Sequence, residues 1–88
     1  MLKNDDEIRE SKDVQELTLL LMYLTGWETE SRKTPGQKIF RAWKGFHFGI
    51  LNVLDESELI TQHPVAKSVV FSEAGLRKAE ELKKKYLG

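Results

Sequence analysis

The segment 17–24, Leu-Thr-Leu-Leu-Leu-Met-Tyr-Leu, limits most strongly what this chain can become. Val14, Leu17, Leu21 and Leu24 recur at helical spacing and form one stripe, while Leu19, Met22 and Tyr23 form a second on another side. A helix patterned in this way is apolar nearly all round. It has to be enclosed by its own domain or shared with a partner. The chain has 88 residues, and a domain of that size buries roughly 60–65% of its unfolded surface. Full enclosure of one helix in so small a body is geometrically difficult. A homodimer formed through Leu17, Leu20, Leu21, Tyr23 and Leu24 is therefore expected beside simple central packing.

The rest of the chain predicts an α+β domain over residues 12–88, preceded by a polar, net acidic stretch at 1–11 that reads as a frayed arm or a lead-in to the helix. Ser11 or Lys12 opens the first helix, Asp13 suits its first turn and Gly26 closes it. Residues 27–38 form a connector marked by the Pro35-Gly36 turn. Residues 37–44 fit a short helix or a strand, and their period does not decide. A second helix is expected over 46–58. Residues 59–62 and 67–71 form a short antiparallel hairpin turning near 63–66. Ser72 then caps a last helix whose Leu76, Ala79, Leu82 and Tyr86 make the buried stripe. The expected architecture is three principal helices and one short hairpin.

Composition narrows the function classes. Hydrophobic residues make up 40% of the chain, too many for a wholly disordered protein. There is no cysteine, which removes disulfides, thiolate catalysis and every Cys-containing zinc or iron–sulfur site. His47 and His63 lack any i,i+4 partner, and no His-Glu-x-x-His arrangement exists. Gly36 is followed by Gln37-Lys38 without the second glycine of a phosphate loop. The start is acidic rather than basic-then-apolar, and 17–24 is far short of the ~20 residues that span a bilayer. A non-catalytic protein of the cytoplasm is expected, without cofactor, metal or membrane partner.

The formal charge is zero, from 14 basic and 14 acidic residues, but the sum is uneven. Segment 32–44 carries Arg32, Lys33, Lys38, Arg41 and Lys44 and no acid. These residues, with Asn52 and Lys67, are the candidate contacts for nucleic acid or an acidic partner. The 46–58 helix opposes sequence-specific duplex reading: it has no Arg or Lys, and Asp55 and Glu56 are repelled by phosphates. Trp43, Phe46 and Phe48 are expected chiefly in the core, packed against the first helix, with Gly45 allowing a tight turn. The alternative is a stacking platform beside Arg41.

Two resemblances rest on particular residues. Leu54, Leu59 and Ile60, followed by the hairpin and Ser72-Glu73-Ala74-Gly75, resemble the closing half of a winged-helix domain, with Glu58 standing where that motif has glycine. More closely, Leu17 to Leu24, Trp27, Arg41-x-Trp43-Lys44-Gly45-Phe46-x-Phe48 and Ser68-Val69-x-x-Ser72-Glu73-x-Gly75 resemble a small bacterial family, domain of unknown function 6429, over about residues 12–86. The resemblance implies a winged-helix-like fold and brings no catalytic residues. The function expected from all this is an interaction or dimerisation module, with a small DNA-binding transcriptional regulator as the alternative.

Overall fold

Each helix is started by a side chain that the local sequence supplies. The structure, a computed structural model, describes residues 4–88. Asn4 accepts a bond from the Glu7 amide at 2.8 Å and opens α1, Asp5–Glu10. Ser11 ends α1 and begins α2, Lys12–Thr25; its amide donates back to the Ile8 carbonyl while its hydroxyl accepts from the Val14 amide at 3.3 Å. The stretch read from the sequence as an arm or a lead-in is thus helical over Asp5–Glu10, and Ile8 packs on the core. His47 caps α3, Phe48–Glu56, and Ser72 caps α4, Glu73–Leu87.

Four strands alternate with these helices: β1 Trp27–Glu30, β2 Lys38–Trp43, β3 Ile60–Thr61 and β4 Ser68–Phe71. They form one antiparallel sheet in the order β1-β2-β4-β3. The expectation of three helices and a single hairpin is therefore corrected to four helices and a four-stranded sheet. The expected β3–β4 hairpin is present, turning where the Ala66 amide meets the His63 carbonyl. The unforeseen part is the β1–β2 hairpin. Its connection closes through Thr34-Pro35-Gly36-Gln37, where the Gln37 amide reaches the Thr34 carbonyl at 3.0 Å and Gly36 has φ 90. Proline second and a left-handed glycine third is the type II pattern. Residues 37–44, whose sequence fits a short helix or a strand, contain strand β2; their period does not decide because the strand is apolar on both sides, with Phe40 and Ala42 facing one way and Ile39 and Trp43 the other.

The helices cover one face of the sheet. Ala42, Ile60, Val69 and Phe71 point into them and meet Leu19, Leu20 and Met22 of α2, Ile50, Leu51 and Leu54 of α3, and Ala79 and Leu82 of α4. The body is a slab only 19 Å thick. Strand β2 leads into α3, so the element before α3 is a strand and not a helix. Across the helix layer, Glu16 of α2 accepts from the Tyr86 hydroxyl at 2.8 Å and from Lys85 at 3.0 Å on α4. The Tyr86 bond first, then Lys85, holds the Glu16 carboxyl below its usual range, and the same contacts push Tyr86 and Lys85 up.

The turn from α3 to β3 explains much of the closing motif. After Ser57 the Glu58 amide bonds the Asp55 carbonyl at 2.9 Å and the Leu59 amide bonds the Leu54 carbonyl at 3.0 Å, a Schellman ending. Glu58 occupies its left-handed position with φ 62. A side chain there is disfavoured by roughly 1 kcal/mol or more, so Glu58→Gly is expected to raise stability by about 1 kcal/mol in urea unfolding at neutral pH. No change, or a loss, would show that the Glu58 side chain compensates for its backbone.

Candidate functional site

Which aromatic residues the fold leaves outside decides where a site can lie. Strand parity places Trp27, Thr29, Ile39, Arg41, Trp43, Ser68, Val70 and Thr61 on the sheet face opposite the helices. Register aligns Trp27, Arg41, Val70 and Thr61 in a single row across all four strands. Trp43 sits diagonally from Trp27, with ring centroids 5.0 Å apart and planes inclined at 50°. Trp43 is 57% exposed and Phe48 is 69% exposed. The expectation that Trp43, Phe46 and Phe48 fill the core holds only for Phe46, which packs against it. The reason is positional: the odd-numbered residues of β2 face away from the helices, and Phe48 stands at the exposed first turn of α3. The core aromatic cluster is instead Tyr23, Phe40 and Phe71, with ring centroids 5.3 Å apart for Tyr23–Phe40 and Phe40–Phe71 and 6.4 Å for Tyr23–Phe71.

The basic candidates divide among several places. Arg41 lies at the middle of the open sheet face and donates to the Ser68 hydroxyl at 3.0 Å. Arg32 lines the same groove, with Trp27, Glu30 and Ser68. Lys44 donates to the His63 carbonyl at 2.9 Å and so braces the β3–β4 turn, where the exposed Lys67 also sits. Lys33 is exposed in the β1–β2 connection. Lys38 pairs across from Glu30 and alternates to the helix side. Asn52 is on α3, half-buried, and accepts from Gln62 at 3.1 Å. Asp55 accepts from the Gln62 amide at 3.0 Å, which makes it a brace for β3.

The apolar candidates on α2 also separate. Leu20 belongs to this chain's own core. Tyr23 turns toward the sheet, and its hydroxyl donates to Glu80 of α4; that bond and burial raise its pKa. Leu17, Leu21 and Leu24 remain 47, 49 and 48% exposed on the opposite side of the helix. Gly45 has open space around it and an ordinary φ, so no tight turn depends on it. Gly26 and Gly75 are the constrained glycines. A Cβ on Gly26 would stand 2.4 Å from the Phe40 ring, and one on Gly75 would stand 2.0 Å from the Leu59 carbonyl oxygen.

No group of three or more His, Asp or Glu side chains able to hold a metal ion exists among the described residues. No helix among them is long and apolar enough to cross a membrane. The family model described as domain of unknown function (DUF6429) matches residues 10–88. The chain belongs to this family. No curated protein and no solved structure matches it. Within the DUF6429 chain, the closing Ser-Glu-x-Gly motif acts in folding: Ser72 accepts from the Gly75 amide at 2.9 Å and donates to the Glu58 carbonyl at 2.7 Å, while Gly75 admits the Leu59 backbone. The signal that locates the open face is Trp27 and Trp43 flanking the Pro35-Gly36 turn, because antiparallel pairing across that turn brings both indoles to one side.

Proposed function

We propose that this domain is a non-catalytic interaction module of the cytoplasm that self-associates through α2. The observation that carries this is the ridge of Leu17, Leu21 and Leu24, each about half exposed. Their spacing of four and then three residues is that of a seam between two helices. Three leucines in line on one exposed face form an apolar patch of the kind that marks association sites. The flanking Thr18, Thr25 and Asp13 leave the ridge free of basic charge. In this proposal the winged-helix likeness is topological. It consists of the strand order β2-β4-β3 and a β3–β4 hairpin running into α4.

Sedimentation equilibrium at micromolar concentration tests the proposal. A dimer is expected, with Leu21→Lys weakening it at least ~10-fold, since burying an unpaired lysine in an interface costs more than the ~1.4 kcal/mol that this factor represents. Because Leu21 is exposed in the monomer, the variant keeps the wild-type circular dichroism. A wild-type protein that stays strictly monomeric rules out self-association through α2.

A further inference from the structure

We propose that the uncovered face of the sheet binds single-stranded nucleic acid, with Trp43 and Trp27 as the stacking surface and Arg41 and Arg32 as the phosphate contacts. An exposed tryptophan on a strand is costly to leave in water, and an indole offers a flat, sequence-tolerant surface to any base. Trp43 keeps more than half of its surface open. Its 50° inclination to Trp27 means that the two rings do not cover each other face to face. Four-stranded sheets that take single strands do so by stacking two or three bases on aromatics of their open face.

The charge of the face favours an anion. Among the outward-facing strand residues the one charged side chain is Arg41, at the centre of the row. Its bond to Ser68 uses one donor of a five-donor fork and fixes the fork's position. Arg32 joins it from the β1–β2 connection. Glu28 alternates to the opposite side of the sheet. Glu30, which reaches the groove edge, is engaged by the Gly36 amide at 3.0 Å. Flat apolar surface beside a fixed guanidinium complements a base joined to a phosphate. An acidic peptide would use the charge and leave the indoles in water. Duplex DNA would hide its bases from them.

Both tryptophans of the chain lie on this face, so intrinsic fluorescence reports the site directly. Titration with a twelve-residue oligothymidylate in low-salt buffer is expected to quench the emission saturably. Anisotropy of the same oligonucleotide, end-labelled, should give an affinity that falls ~5- to 100-fold in Trp43→Ala, the range for losing one base stack. Trp43→Phe should recover most of it. Arg32→Ala, in an exposed connection, should weaken binding and reduce the salt slope by ~0.7. Four outcomes overturn the proposal: no quenching by the oligonucleotide, equal quenching by polyglutamate or by duplex DNA, Trp43→Ala binding as the wild type does, or emission that changes on dilution of the protein alone. The last would mean that a second copy covers the face.

Discussion

Phe71→Ala is expected to remove about 4 kcal/mol of stability, a loss typical of an aromatic ring deleted from a core. The Phe71 ring is 5% exposed and stands at the last position of β4, where the sheet meets the helices. It lies edge-on to Phe40 at 5.3 Å and tilted to Tyr23 at 6.4 Å, so the deletion takes one member from a three-ring cluster. The cavity would open between α2, α4 and strands β2 and β4, a site that the backbone of a central strand cannot close. Against a total of roughly 5–15 kcal/mol for a domain, the variant should melt about 15–30 °C lower. Phe48→Ala is the matched comparison. The same atoms are removed, but Phe48 is 69% exposed, and the change should stay within about 0.5 kcal/mol. Urea unfolding followed by circular dichroism measures both. Equal losses in the two variants would place Phe48, not Phe71 alone, in the packing.

That contrast shows where sequence pattern reaches its limit. Clustering in sequence makes 43–48 look like the aromatic centre, with three rings in six residues. Burial follows parity and position instead, and parity is defined only once a segment is known to be a strand. Strand β2 carries apolar groups on both faces, so its period is masked, and without β2 there is no partner to reveal β1. Where one side of an element is plainly polar, the fold is legible: α4, with charged residues over most of its surface, and the β3–β4 hairpin both stand where their patterns place them. The all-round apolar α2 illustrates a second limit. Its pattern implies two buried faces, and the fold covers one, with Leu19, Leu20 and Met22, and leaves the Leu17–Leu21–Leu24 ridge open. The basic residues of 32–44 scatter because hairpin geometry sends alternate side chains to opposite sides. Arg41 and Arg32 meet at a common groove.

Gly75→Ala is expected to cost at least about 3 kcal/mol, at the upper end for one methyl forced into a packed site. The added Cβ would fall 2.0 Å from the Leu59 carbonyl oxygen and 2.9 Å from its carbonyl carbon. A side-chain neighbour could rotate away; this neighbour is backbone, held from three directions. The Ser72 amide donates to the same Leu59 carbonyl at 3.0 Å, and the Ser72 hydroxyl, whose one proton is shared with the nearer Glu58 carbonyl, lies 3.1 Å from it. The Leu59 amide is itself tied to Leu54 in the Schellman ending of α3. Relief therefore requires α4 to move off the α3–β3 turn, which weakens the Ser72 cap and strips contacts from Ala79 and Leu82, both fully buried on α4. Alanine is the better helix former by roughly 1 kcal/mol, so a destabilised variant would show that the close approach outweighs propensity. Ser72→Ala serves as the graded control: it removes the cap without the clash and should cost about 1 kcal/mol. Thermal unfolding monitored by circular dichroism should therefore place the variants in the order wild type, Ser72→Ala, Gly75→Ala, with the last melting at least about 12 °C below the first. A Gly75→Ala protein as stable as wild type would mean that α4 sits further from Leu59 than 2.0 Å allows.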